Sequence, residues 1–157
     1  MQDKTNSYLT EWTINFLKNR DLMLKNIELI EKDKDGFDVY VKFKDKEQFF
    51  ISRPIIGDID DILPKFDEQG HFGLVVFNTL SNFNSLVKNW GKLIKFKHLW
   101  IYFVNPLSKL DKRWVVCPCT HNNICDTSAL EKGLRSMFET VEAITEEKIK
   151  GCVENAG

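Results

Sequence analysis

Two clusters of side chains in this chain have types and spacing that could support chemistry. The first pairs Asp38 with the segment Ile51-Ser52-Arg53. Arg53 carries a permanent charge on a planar fork of donors suited to phosphate, but it cannot carry a proton at neutral pH. Asp38 is a lone carboxylate, and Ile51 offers no oxygen to a hard cation. The segment thus offers one carboxylate and one guanidinium, a pair able to meet a phosphate. The second cluster is Cys117-Pro118-Cys119-Thr120-His121, followed by Cys125. On an extended strand 117, 119 and 121 share one face. A turn through Asn122-Asn123 would return Cys125 to that face, and three thiolates with one imidazole would complete a tetrahedral zinc site. Cys125 also lies just before a helix start, which would lower its pKa, with His121 as a base. No third residue orients that pair. Plainer readings stand beside these. Asp38 fits the solvated face of a hairpin strand, Arg53 beside Pro54 fits an edge-strand gatekeeper, and the cysteines fit as small buried thiols.

The elements that must position these residues follow from periodicity. Leu9, Trp12, Phe16 and Leu17 recur at helical spacing, so Ser7 to Arg20 is expected to be an amphipathic helix. A strand over Asn26 to Ile30 and a charged turn through Lys32 to Gly36 lead to Phe37–Phe43. There Phe37, Val39, Val41 and Phe43 alternate with Asp38, Tyr40 and Lys42, as in a half-buried strand. Gln48 to Ile56 gives a third strand, which Pro54 would place near an edge. Asp58 to Phe66 gives a short helix with an acidic first turn. The continuous apolar runs at 73–78 and 99–104 read as strands buried on both faces. Between them a helix from Ser81 or Asn82 to Lys95 is expected, with Gly91 marking a close packing contact. Trp114 to His121 reads as the last strand. A helix over 126–141 follows, opened by a Ser128/Glu131 capping box, and a short helix starts at Thr145.

Composition sets the outer limits. At 157 residues the chain suits one domain, with a core near 7–104 and an extension near 105–150. The net charge of −1 excludes a globally basic surface, so a polyanion would have to meet a local patch. Leu99 to Val104 is the longest strongly apolar stretch, too short to cross a membrane. The first residues lack the apolar core of a secretory signal, which points to a cytoplasmic protein with reduced cysteines.

The order α-β-β-β-(α)-β-α-β-β-α implies an α/β fold, a mixed central sheet with helices on both faces. With Asp38 on the second strand and Ile51-Ser52-Arg53 on the third, the layout resembles the PD-(D/E)XK, or restriction-endonuclease-like, superfamily over about Ser7 to Val104. The resemblance implies an α-β-β-β-α-β core with a C-terminal strand and helix added. It also implies that Asp38 stands for the metal-binding Asp, that Ile51 replaces the second carboxylate and that Arg53 replaces the Lys. Glu11 would be the assisting acid of the first helix. A degenerate, non-catalytic relative is the preferred reading. The enzyme alternative is a residual Mg²⁺- or Mn²⁺-dependent nuclease that borrows Asp58, Asp60 or Asp61.

Lys88, Lys92 and Lys95 fall at spacing that shares one helix face, with Lys97 following. Lys42, Lys44 and Lys46 cluster at the second hairpin, and Lys109, Lys112 and Arg113 precede the last strand. Such patches suit phosphates, although a lysine stripe also suits a merely solvated helix face. Trp12, Trp90, Trp100 and Trp114 fall in apolar stripes or strands and are expected in the core. The function expected from sequence is a nucleic-acid-binding or assembly subunit using Arg53, Lys88, Lys92 and Lys95 on DNA or RNA. A zinc-stabilised protein-interaction module, or a homodimer, is the remaining alternative, and no membrane partner is expected.

Overall fold

Asp35-Gly36 closes the first hairpin, and both residues have positive φ (55° and 83°). A two-residue turn of this kind needs two such residues and matches the right-handed twist of the strands it joins. The hairpin joins β1 (Ile27–Lys34) to β2 (Phe37–Phe43), and a second tight turn leads to β3 (Glu47–Ser52). The computed structural model describes residues 2–109 and 111–156. Beyond β3 come two short 3-10 turns, Ile59–Asp61 and Leu63–Lys65, and then β4 (His71–Phe77). Helices α2 (Leu80–Lys88) and α3 (Trp90–Leu93) lead to β5 (His98–Val104), and β6 (Arg113–Val116) follows.

These strands form a six-stranded sheet in the order β1-β2-β3-β4-β5-β6. The pairs β1/β2, β2/β3 and β5/β6 are antiparallel, whereas β3/β4 and β4/β5 are parallel. The fold is thus α/β with a mixed sheet, as the sequence implies. On one face α1 (Gln2–Leu24) lays Leu9, Ile14 and Leu17 against Val39, Val41, Phe50, Val75 and Phe77. On the other, α2, α3 and α5 (Leu130–Glu139) cover Leu74, Val76, Ile101 and Phe103. Central β4 feeds both cores, which is why it reads as an uninterrupted apolar run.

Several expectations are corrected. Pro54 does not mark an edge, because β3 lies between β2 and β4. The strand ends at Ser52, and the Pro54 carbonyl accepts from the Asn82 amide at 2.9 Å. Phe37 leaves the face of Val39 and Val41 and stacks with Phe49 and Phe72 on the other side. The expected helix over 81–95 breaks at Asn89, whose side chain donates to the Ser85 carbonyl at 2.8 Å. Its cap is Thr79, which accepts from the Asn82 N–H. A Cβ at Gly91 would meet nothing within 4 Å, so no close contact explains that glycine. Gly73 is the position where packing demands one. A Cβ there would stand 2.4 Å from Cδ2 of Phe50, whose ring lies across β4.

The last strand ends at Val116, because Pro118 opens α4 (Pro118–Ile124) where proline suits a first turn. Helix α5 begins later than expected, with Ala129 at its cap and no capping box; Asp126 instead accepts from the Ser128 N–H. The C-terminal part is built into the sheet through Asn78. This buried side chain accepts from the Trp114 indole at 2.8 Å and donates to the Val141 carbonyl at 3.0 Å. The last helix, α6 (Glu146–Ala156), packs on α1, where the Cys152 thiol donates to the Tyr8 hydroxyl at 2.9 Å.

Candidate functional site

Asp38 and Arg53 do lie on one face. Asp38 alternates with Val39 and faces away from α1, and residues 51 and 53 share that side. Antiparallel pairing of Val39 with Phe50 places Asp38 across from Ile51. The Asp38 carboxylate accepts from the Ser52 N–H at 2.8 Å, so it completes the β2/β3 ladder where backbone pairing stops. Burial raises its pKa above the usual carboxylate value, and the Ser52 hydrogen bond and the charge of Lys65 oppose that rise. Arg53 reaches toward Asp61, with Nη2 and Oδ2 3.7 Å apart.

The other expected members of this site lie elsewhere. Glu11 sits on α1, on the opposite side of the sheet, paired with Lys32 of β1. Asp58 caps its own 3-10 turn through the Asp60 N–H at 3.0 Å. Asp60 holds the Lys92 ammonium at 3.0 Å. The break at Asn89 puts Lys88 on α2 and Lys92 on α3, with Lys95 beyond both, so no single helix carries the three.

The thiol cluster is likewise not arranged on a strand. Cys117 is buried at the end of β6, with Sγ 3.6 Å from the Lys97 carbonyl. Cys119 and His121 lie on α4, where His121 meets the Trp90 ring edge to face at 6.0 Å. Cys125 follows that helix, and its N–H donates to the His121 carbonyl. All four cysteines are free thiols. Among the described residues, no three of His, Cys, Asp and Glu form a group that could hold a metal ion.

A different concentration of groups appears on the α1 face. The C-terminal half of α1, β2, β3, β5 and β6 enclose a cavity of about 560 Å³ whose lining includes Arg20, Lys46 and Arg113. None of these cations has an ion-pair partner among the described residues. Asp21, the acidic residue of this lining, accepts from the Asn26 and Ile27 N–H groups at 2.8 and 3.0 Å. Its charge is thus engaged in turning the chain from α1 into β1. Arg20 and Arg113 both lie over the Phe16 ring, at 5.1 and 4.5 Å from its centroid. Phe16 in turn stacks on Trp12 at 5.2 Å and meets Tyr102 edge to face at 5.9 Å. A more open cleft continues past Phe16, Arg20 and Arg113 to Trp12, Asn15, Asn19 and Lys112. Two guanidiniums over one aromatic ring, with an ammonium lining the same cavity, form a surface suited to phosphates and planar rings.

Trp100 lines the same cavity and is 41% exposed, against the sequence expectation of a core residue. It alternates with Leu99 and Ile101, which enter the opposite core, and so faces the α1 side. Gln48 of β3 also lines the cavity, yet it is 6% exposed and its side chain has no hydrogen-bond partner among the described residues. Beyond them, at the start of β4 and β5, His71 and His98 stack at 4.3 Å. Burial and the charges of His98 and Lys46 lower the His71 pKa, with Asp45 opposing them. Sequence reasoning found Lys46, Lys112 and Arg113 as basic clusters but missed Arg20, Gln48 and Trp100. The available signal was parity, because Trp100 and Tyr102 must face away from Leu99 and Ile101.

Part of the chain is similar to a curated protein described as probable host range protein 2 of Yaba monkey tumor virus (strain VR587). The two are 34% identical over 89 residues, a match covering 46% of this chain and 53% of the relative. The chain thus matches about half the length of that relative, and the likeness brings no ligand or reaction with it. No family model and no solved structure matches the chain. Among the described residues, no helix is long and apolar enough to cross a membrane.

Proposed function

We propose that this protein is a non-catalytic nucleic-acid-binding protein and that the groove between α1 and the β5–β6 end of the sheet receives the phosphate backbone. The observation that carries this reading is the set Arg20, Lys46 and Arg113, which lack ion-pair partners among the described residues and line one aromatic-walled cavity. Arg53 and Lys92, favoured on sequence grounds, each face an aspartate and so offer a phosphate less. The common face of Asp38 and Arg53, with two parallel strands after an antiparallel hairpin, supports descent from a restriction-endonuclease-like core that has lost its second carboxylate. Asp38 is engaged in completing the β-ladder, which supports a structural role for it.

Fluorescence anisotropy with a labelled oligonucleotide across a salt series tests the proposal. Three phosphate contacts give a slope of about −2 in log K against log salt, at about 0.7 per contact for single strands. Arg20→Gln with Arg113→Gln brings the slope to about −0.7, whereas Arg53→Gln with Lys92→Gln leaves it unchanged. Absence of binding at low salt overturns the proposal, as does a greater loss from the Arg53/Lys92 pair. Cleavage of the oligonucleotide in Mn²⁺ that disappears in Asp38→Ala would overturn the non-catalytic part.

A further inference from the structure

We infer that the groove is built for a single strand, with one unpaired base stacked on Trp100 and its edge held by Gln48. The inference rests on the nucleic-acid reading above and adds to it the form of the ligand and the residues that recognise it. Phosphate attraction alone would be served by Arg20, Lys46 and Arg113 and needs neither Trp100 nor Gln48.

Two independent features point to a base. Trp100 is 41% exposed on the sheet face beside a cavity of nucleotide scale, about 560 Å³. An indole face left uncovered inside a basic groove is a stacking platform that accepts any base, since every base has a π-face. Gln48 is only 6% exposed and its amide has no hydrogen-bond partner among the described residues, yet the amide atoms are not sealed from solvent and so stay reachable from the cavity they line. A primary amide has two donors and an acceptor to offer, and here no protein group takes them up. A nucleobase edge presents a donor and an acceptor side by side and so meets both ends of that amide. In a duplex the bases are stacked within the helix and their pairing edges are occupied. Only an unpaired strand can lay a base on Trp100 and offer that edge to Gln48.

Phe50, Gly73 and Trp100 are in register across β3, β4 and β5, and Gly73 lets the Phe50 ring lie flat beside the indole strand. A side chain at 73 would displace Phe50 toward its neighbours on this face.

The test compares four probes of graded chemistry on the intact protein: a single-stranded oligonucleotide, the same length of abasic strand, the matching duplex, and a mononucleotide. The inference expects the oligonucleotide to bind at least about tenfold tighter than the abasic strand or duplex, with quenching of tryptophan fluorescence. Trp100→Leu removes that advantage and the quenching while leaving abasic-strand binding unchanged. Gln48→Leu folds, as an unfolding midpoint close to that of the parent protein shows, yet it reduces the advantage of the oligonucleotide over the abasic strand. Equal binding of oligonucleotide, abasic strand and duplex, insensitive to Trp100→Leu, overturns this inference while the phosphate-binding proposal stands. A mononucleotide binding as tightly as the oligonucleotide overturns the strand assignment. No binding of any probe at low salt overturns both.

Discussion

Replacing Asn78 with Ala should remove about a third of the stability of a domain this size. The Asn78 side chain is fully buried and connects three parts of the fold. Its carbonyl oxygen accepts from the Trp114 indole at 2.8 Å, and its amide donates to the Val141 carbonyl at 3.0 Å. The Glu142 carbonyl, 3.3 Å away, also accepts from the Asn105 side chain and keeps a partner after the substitution. Two buried groups are therefore orphaned, the Trp114 N–H and the Val141 carbonyl. At about 1–3 kcal/mol each, the expected cost is about 3–4 kcal/mol, from a total of roughly 5–15 kcal/mol for a single domain. Thermal midpoints should fall by roughly 10 °C, at about 2–4 °C per kcal/mol. Urea denaturation followed by circular dichroism measures this, with the unfolding slope unchanged if the native state stays compact. The Asn78→Ala/Trp114→Phe cycle should give a coupling of about 1 kcal/mol or more, because Phe removes the donor that Ala strands. A loss below about 1 kcal/mol for Asn78→Ala, or additive behaviour in the cycle, would refute the assignment of Asn78 as the joint between the sheet and the C-terminal helices.

Three further outcomes follow from particular contacts. Asp38→Asn should be neutral or stabilising at pH 7, because burial raises the carboxyl pKa and the ionised form is the one penalised. That penalty is absent below the ordinary carboxylate pKa and grows as pH rises through the raised one, so the two proteins should converge in acid; divergence in acid would contradict it. Asp38→Ala should instead cost about 1–3 kcal/mol in acid by orphaning the Ser52 N–H, and less at pH 7, where the parent protein bears the penalty of the ionised carboxylate, as read by urea midpoints. Gly73→Ala should cost about 1–3 kcal/mol, since its Cβ would lie 2.4 Å from Phe50, whereas Gly91→Ala, in open space, should be neutral or stabilising. Thermal denaturation of the two variants side by side checks this, and equal midpoints would argue against the close approach.

The sheet was legible wherever one residue type pattern admits one structure. The alternation of Val39, Val41 and Phe43 with Tyr40 and Lys42 marked a strand, although β2 is covered on both faces up to Tyr40 and not half-buried throughout. The turn expected through Lys32 to Gly36 is confined to Asp35-Gly36, because β1 runs on to Lys34, and the β4 run suits only a central strand. Local competition accounts for most of the errors. Asn89 turned its amide back on the helix and split it, and Pro118 converted an expected strand into α4, moving the cysteines off a common face. The Asp38–Arg53 pairing was visible because it follows from strand parity alone. The groove was not, because it depends on how far α1 extends over the sheet. A helix covering β5 would have buried Trp100 as its sequence context suggests, and nothing in residues 99–104 says where that cover ends.

On the proposed function, nucleic acid would sit in the groove under α1 and not on the Asp38–Arg53 face. Backbone amide chemical-shift mapping of the labelled protein, titrated with a single-stranded oligonucleotide at low salt, tests this most directly. The largest shifts are expected at Arg20, Gln48, Trp100 and Arg113, with Arg53 and Lys92 unmoved. Shifts centred on Asp38, Arg53 and Lys92, or no shifts at all, would contradict it.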